Sequence, residues 1–190
     1  MNDENNIPCD KSELPPINNA NNANNANNAN NQNNQNNQNT QKNLFIGKVK
    51  KFDQKLYDKY DIPARKKIQE ILGENVADNP DIYNEDMILR IPNCRYKYLE
   101  LQVCAQWTDD KYPYSKPYVY ARKSKFSDDT LFLIFNKRMT EGLLFSRPSL
   151  IEKPRRLKKY SRHFVYEAPW HRVMRINLDA LTCETFELYS

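Results

Sequence analysis

The sequence predicts an α+β domain in which a helical segment is followed by a mixed β-sheet, with a long polar tail in front of both. Apolar residues recur at helical spacing between residues 52 and 72. Short apolar or alternating segments then follow one another between residues 87 and 178. Helices first and strands afterwards is the order typical of α+β proteins.

Residues 1–43 are predicted to be a disordered low-complexity tail. Residues 18–39 repeat Asn-Asn-Ala and then Asn-Asn-Gln at every third position, which leaves too little apolar surface to offset the entropy of ordering. Self-association through polar ladders and repeat expansion in an A/T-rich genome both remain open as explanations of this tract. Such tails resemble those in proteins of amoeba-infecting giant viruses, slime molds and malaria parasites, and the giant viruses are the source we expect.

Residues 44–190 are predicted to form a single domain. The whole chain carries a net charge of +5 and the tail −2, so residues 44–190 carry +7. Its isolated glycines, Gly47, Gly73 and Gly142, exclude the Gly-rich loops of nucleotide-binding folds. No apolar run approaches the roughly 20 residues of a membrane span, and the polar N-terminus lacks a secretory signal. We therefore expect no membrane association, and an intracellular, non-secreted protein (host cytoplasm, viral factory or virion for a viral one).

The helical part is predicted to contain two segments. Phe52, Leu56 and Tyr60 recur at every fourth position and would form one apolar face. A second segment would begin with Asp61 as its N-cap and end at Gly73. Its apolar face comprises Ala64, Ile68, Ile71 and Leu72.

Strands are predicted at residues 87–91, 96–107, 118–122, 130–136, 142–145 and 172–178, and residues 75–84 are predicted to form a loop. In the strand at 96–107, one face carries Leu99, Leu101 and Val103 and is expected to meet the core. The other face carries Glu100 and Gln102 side by side, because alternate residues of a strand point the same way.

This carboxylate and amide are the most chemically suggestive residues of the chain. Asp86, at the start of the preceding strand, would join Glu100, and two carboxylates at a strand edge can bind Mg²⁺ through oxygen ligands. The ion would polarise a phosphodiester and activate water. A nearby cation would meet the phosphate, and the candidates are Lys67, Lys123 and Lys125.

In this order of elements the chain resembles the PD-(D/E)XK nuclease superfamily. The matching features are the helix ending at Leu72, Asp86 before the first strand of the hairpin, and Glu100-Leu101-Gln102 in the second. The resemblance implies a restriction-endonuclease-like core and a Mg²⁺-dependent nuclease, with Asp86 and Glu100 as metal ligands. It also implies roles for Glu70 and Gln102, and with Lys123 as the cation the predicted catalytic set is Glu70, Asp86, Glu100, Gln102 and Lys123.

The chain departs from the superfamily pattern in three places. Gln102 stands where lysine is usual. The only Pro-Asp pair near the hairpin, Pro80-Asp81, lies in the predicted loop, so either Asp81 or Asp86 is the ligand. The segment after Trp107 lacks a helical pattern, so the second helix of the family is expected to be missing.

A basic segment at residues 153–162 predicts an anionic partner. It holds six Lys and Arg residues and no acid, a density that favours contact with a nucleic-acid backbone over a solvated loop or a localisation signal. The predicted nucleic-acid-binding residues are Arg147, Lys153, Arg155, Arg156, Lys158, Lys159 and Arg162. The leading hypothesis is a metal-dependent nuclease, and the alternative is a non-catalytic nucleic-acid-binding or virion-associated protein with a degenerate nuclease-like fold.

Overall fold

A computed structural model describes residues 53–108, 110–157 and 163–189. Within these residues the fold is α+β, with the principal helix followed by a mixed sheet, as the sequence predicts. The predicted disordered tail and the domain boundary at residues 43 and 44 lie outside the described residues. Lys158, Lys159 and Arg162 of the basic segment also lie outside them.

The helical part begins with a short α-helix, α1 (Gln54–Leu56), whose first turn is capped by the side chain of Asp53. A π-helical turn (Tyr57–Asp61) joins it to the longer helix α2 (Ile62–Leu72). Gly73 ends α2 at φ 56°, which confirms the predicted end. The prediction that Asp61 is an N-cap is wrong, because its backbone is already helical and its side chain caps nothing.

In the described part of the chain, nine strands follow the helical part. They are β1 (Val76–Asp78), β2 (Met87–Leu89), β3 (Tyr98–Val103), β4 (Tyr118–Tyr120), β5 (Thr130–Phe135), β6 (Glu141–Ser146), β7 (Arg155–Arg156), β8 (Phe164–Glu167) and β9 (Met174–Asn177). Six of them form one sheet in the order β1-β2-β3-β5-β6-β9, and β4-β8-β7 form a second. Among these described strands, β3 and β5 are the one pair that is parallel, which makes the larger sheet mixed. A C-terminal helix, α3 (Cys183–Tyr189), closes the described chain.

Several element bounds differ from the predicted ones. The predicted loop at 75–84 contains β1, which is too short to show a strand pattern in sequence. The predicted strand at 96–107 is shorter because the chain turns after β3, where the Trp107 amide bonds to the Cys104 carbonyl at 2.9 Å. Strands β7 and β8 and helix α3 lie where no regular element is predicted.

Both faces of the larger sheet are covered. One face packs against α2 and α3 through residues that include Ile68, Leu101 and Phe186. The other face meets a second apolar cluster, to which Phe132 and Phe145 belong. Burial on both faces explains why β5 reads as a continuous apolar run and not as an alternating one.

The parallel connection from β3 to β5 places a basic turn beside the sheet. Between Val103 and Thr130 the described residues form no α-helix; they contribute β4 and a 3-10 turn (Ala121–Lys125). This agrees with the expectation that the segment after Trp107 is not helical. No α-helix among residues 53–108, 110–157 and 163–189 has the length and apolar character of a membrane span.

Candidate functional site

Asp86 and Glu100 face each other across the edge of the β2–β3 hairpin. The register pairs Met87 with Leu99, so the next opposing pair is Asp86 and Glu100. The main-chain N–H of Asp86 donates to Glu100 Oε2 at 3.2 Å, and the Leu101 N–H donates to Asp86 Oδ2 at 2.9 Å. The two carboxylates therefore lie close together and are held by backbone donors of the hairpin itself.

Each carboxylate also has its own cation. Arg65 of α2 bonds to Asp86 Oδ1 at 2.5 Å and to the Asp86 carbonyl at 2.5 Å. Lys123, from the 3-10 turn, forms an ion pair with Glu100 Oε1, and its Nζ lies 3.5 Å from the Leu101 carbonyl oxygen. We call Arg65, Asp86, Glu100 and Lys123 the charged cluster; three distant segments of the chain supply it.

Burial is what sets the chemistry of Glu100. Glu100 and Lys123 are each only 6 % exposed. Desolvation raises the pKa of the Glu100 carboxyl to about 7; Lys123 opposes this rise, and the Asp86 carboxylate adds to it. Glu100 therefore changes its charge near neutral pH, which is a property of general acids and bases.

Asp61 adds a third carboxyl to the surroundings of the cluster. Burial raises the pKa of Asp61, and the nearby carboxylate of Asp86 raises it further, against the charges of Lys123, Arg65 and Arg122. Sequence reasoning assigned Asp61 to a helix cap and so missed it. Its position could have indicated this role, because Asp61 lies four residues before Arg65, and Arg65 binds Asp86.

Gln102 and Glu70 are the remaining predicted catalytic residues, and their surroundings differ. Gln102 lies two residues beyond Glu100 on β3, and its Oε1 is buried without a hydrogen-bond partner among the described residues. Glu70, by contrast, is exposed on α2, and five residues beyond Arg65 it projects from a different side of that helix. The structure thus brings Asp86, Glu100 and Lys123 together and leaves Glu70 apart.

The alternatives to Asp86 and Lys123 have other roles in the structure. Asp81 is exposed in the loop after β1, where it accepts from the Tyr83 amide at 3.0 Å and the Asn84 side chain at 2.6 Å. Lys125 donates to the Tyr83 carbonyl at 2.6 Å, and Lys67 pairs with Asp179. Of the candidates that the sequence left open, Asp86 and Lys123 are the ones beside Glu100.

The oxygen donors of the cluster suit Mg²⁺ in type. Glu100 Oε1 and the Leu101 carbonyl converge on one cation, the Lys123 ammonium, with the Asp86 carboxylate next to them. Mg²⁺ is usually held by one or two carboxylates and keeps several waters. The described residues contain no group of three or more His, Cys, Asp and Glu side chains that could hold a metal. The Lys123 ammonium lies against these oxygens, so a metal that used them would have to displace it.

Part of the predicted nucleic-acid interface is engaged by the protein itself. Arg147 donates to the Ser124 carbonyl from Nε at 3.2 Å and from Nη2 at 2.9 Å. Arg155 pairs with Glu167 at 2.6 Å, and the Arg156 guanidinium lies 5.8 Å from the centroid of the Phe164 ring. Lys153 is exposed. Arg147 therefore positions the turn that carries Lys123.

Comparisons with known proteins assign the chain to no family. No protein-family model matches the sequence, and no curated protein matches it either.

Proposed function

We propose that this protein is a metal-dependent nuclease-like enzyme that hydrolyses phosphodiester bonds, with a restriction-endonuclease-like core. The observation that carries the proposal is the convergence of Asp86, Glu100 and Lys123 at one end of the β2–β3 hairpin. The order of elements supports it as well: α2, then the strands β1, β2 and β3, then β5 parallel to β3.

Lys123 would supply the positive charge that Gln102 lacks. Position 102 carries an amide, while the ammonium of Lys123 reaches Glu100 from 23 residues further along the chain. A buried lysine that pairs with a carboxylate can position a phosphate or a water, and it does so no less effectively than a lysine on the strand itself would. Arg122, its exposed neighbour, lies close enough to act on the charges of Asp61 and Glu100, so it would meet the incoming phosphate first.

The roles of the side chains follow from their surroundings. Asp86, whose orientation is fixed by Arg65 and the Leu101 amide, and Glu100, which with a pKa of about 7 loses its proton near neutral pH, would be the ligands of the metal. A bound Mg²⁺ would supply Lewis acidity at the scissile phosphate. Access to the buried pair requires the Lys123 turn to move away from Glu100.

A non-catalytic nucleic-acid-binding protein is the second candidate. The observation that favours it is that each carboxylate of the cluster already pairs with a protein cation. Neither the cavity beside Trp107 and Tyr112 nor the one beside Asn136 and Asp179 reaches the cluster. In that case the cluster stabilises the hairpin, and the basic segment is the functional part.

Calorimetric titration with Mg²⁺ and Mn²⁺, followed by a plasmid-nicking assay, distinguishes the two. For the nuclease, we expect Glu100→Gln to abolish both metal binding and nicking. Lys123→Met should abolish nicking yet retain or tighten metal binding, because the competing ammonium is gone. Glu74→Gln, an exposed change outside the cluster, is the matched control.

Metal binding that is absent from the wild type and from Lys123→Met alike would exclude the nuclease proposal. Salt-sensitive DNA or RNA binding that persists in the same samples would then establish the second candidate.

A further inference from the structure

An aromatic cavity lies apart from the charged cluster. It has a volume of about 380 Å³ and is lined by Trp107, Lys111, Tyr112, Tyr114, Ser115, Leu143, Trp170 and Arg175. Leu143 belongs to the apolar cluster that also contains Phe132, the neighbour of Glu100 on β5, so the cavity opens on the same side of the sheet as Glu100. None of the predicted site residues lines it.

Two buried polar atoms in the cavity wall lack hydrogen-bond partners. Trp107 is 0 % exposed and Tyr112 is 6 % exposed, yet neither Trp107 Nε1 nor the Tyr112 hydroxyl has a partner within the described residues. The main-chain N–H of Tyr118 lies near the Tyr112 hydroxyl oxygen, and the proton of that hydroxyl has no acceptor among the described residues. Unsatisfied buried donors are costly and rare, so they indicate a missing acceptor.

The aromatic rings of the wall are arranged edge to face, which leaves ring faces available. Tyr112 is at the centre of the group, with ring centroids 5.4 Å from Trp107, 5.5 Å from Tyr114 and 5.9 Å from Trp170. The outermost ring, Trp170, is 45 % exposed and is fixed by its Nε1, which donates to the Ser115 carbonyl at 2.7 Å. A planar ligand can stack on such a ring at little entropic cost.

The charges at the cavity select against a cationic ligand. Lys111 is exposed at its rim, and the Arg175 guanidinium lies 5.8 Å from the Trp107 ring centroid. Glu141 pairs with Arg175 at 2.7 Å, which leaves Lys111 as the cation available to an anion. An aromatic cage for a quaternary ammonium would not carry these cations, whereas a planar group with an anionic substituent fits both features.

We propose that this cavity binds a single nucleotide through its base, preferring a keto pyrimidine such as uracil or thymine. The base stacks on Trp170, its carbonyl oxygens accept from Trp107 Nε1 and the Tyr112 hydroxyl, and its phosphate meets Lys111. Base–aromatic stacking and backbone charge are the two components by which single-stranded nucleic acid is usually held. The inference rests on the cavity alone and stands whether or not the charged cluster is catalytic.

The test uses the intrinsic fluorescence of the full chain, because both of its tryptophans line the cavity. UMP is titrated with excitation at the red edge of the tryptophan band, where the nucleotide does not absorb. We expect saturable quenching by UMP, weaker binding of uridine, and no effect of ribose 5-phosphate at millimolar concentration.

Calorimetry then gives the affinity of the variants. Trp170→Ala and Lys111→Glu should each weaken UMP binding about tenfold, since each removes one component of recognition. Trp170 and Lys111 are exposed enough for these changes to be tolerated by the fold. Lys66→Glu, an equal charge change on α2, should have no effect, and neither should Glu100→Gln.

Three results would overturn the proposal. They are an absence of quenching by UMP, equal quenching by ribose 5-phosphate, and tighter binding of tetramethylammonium than of UMP. A loss of nicking by Glu100→Gln with normal UMP binding would separate this site from the proposed active site.

Discussion

Glu100 gives the charged cluster a pH dependence that can be measured. Burial raises the pKa of its carboxyl from 4.5 to about 7, so the folded state prefers the protonated form. The resulting stability is fully present below pH 4.5 and is lost as the pH rises through 7. This component can reach about 3 kcal/mol.

We predict that Glu100→Gln removes this component. The free energy of unfolding of the wild type should fall between pH 4.5 and pH 7 relative to that of the variant, as measured by urea unfolding at a series of pH values. Glu74→Gln, at an exposed position, should follow the wild-type curve. A difference between Glu100→Gln and wild type that is constant across this range would contradict the assigned pKa.

Lys123 provides a second prediction at the scale of single residues. Lys123→Met leaves the Glu100 carboxylate buried without its cation, which should cost about 3–5 kcal/mol at pH 8. At pH 5 the carboxyl is protonated and the loss should be smaller. The double variant Lys123→Met with Glu100→Leu should recover most of the stability at pH 8, since it removes both charges.

Urea unfolding of Lys123→Met, of Glu100→Leu and of the double variant gives the coupling energy between the two side chains. Lys66→Met, an exposed change on α2, is the control and should be nearly neutral. Additive losses from the Lys123 and Glu100 changes would show that the pair does not couple.

At the scale of elements, Arg65 joins α2 to the sheet. Its guanidinium bonds to the side chain and the carbonyl of Asp86 on one side and to Asp78 of β1 at 3.0 Å on the other. Lysine cannot form these bonds together, because its ammonium lacks the fork of the guanidinium. Arg65 thus fixes both the helix and one of the two carboxylates.

We predict that Arg65→Lys destabilises the fold by about 1–3 kcal/mol, and Arg65→Met by more, because Asp86 then loses its cation. Urea unfolding measures both changes. For the proposed nuclease, nicking should fall in Arg65→Lys even under conditions where the variant is fully folded. Equal stability of Arg65→Lys and wild type would show that the forked contacts contribute nothing.

Gly142 lies where β6 packs closely against its neighbouring strands β5 and β9. A Cβ at this position in β6 would lie 2.7 Å from Leu133 Cδ1 on β5 and 3.3 Å from Ile176 Cγ1 on β9. The Gly142→Ala variant should therefore lose about 1–3 kcal/mol through overpacking, measured by thermal or urea unfolding. Combining it with Leu133→Val, which makes room beside the new methyl group, should restore part of the loss.

Sequence reasoning recovered the elements that carry a repeating pattern. Helix α2 shows a clear apolar face and a glycine stop, so it was placed correctly. Strand β3 shows alternation and was placed correctly apart from its ends. Strand β1 has three residues, β7 has two, and neither is long enough for a periodic signal. These short strands are defined by their pairing with distant partners, which no local window contains.

The candidate site was also predictable only in part, because some of its contacts join residues that are distant in sequence. The spacing of Asp86 and Glu100 follows from the hairpin, and hairpin residues lie close in sequence. The choice of Lys123 over Lys125 depends on how the 3-10 turn sits against β3, and the Arg147 bonds that hold this turn come from a second 3-10 turn just after β6 (Arg147–Ser149). The aromatic cavity joins residues 107 to 175 and has no local signal at all.

At the scale of the whole molecule, the proposed active site and the proposed nucleotide cavity share one side of the larger sheet. Catalysis and base binding would then act on one strand of nucleic acid, with backbone charge supplied by the basic segment. Such charge contributes affinity with little sequence information, and it makes binding depend steeply on salt.

We predict that replacing Lys158, Lys159 and Arg162 together with alanine lowers the slope of log affinity against log salt by about 2–3, measured with a fluorescent single-stranded oligonucleotide. The matched control replaces three exposed lysines of the helical part, Lys55, Lys59 and Lys66, and should leave the slope unchanged. Arg147→Ala should lower stability and not the slope, because its guanidinium is used by the Ser124 carbonyl. Equal slopes for the two triple variants would mean that net charge, and not the basic segment, attracts the nucleic acid.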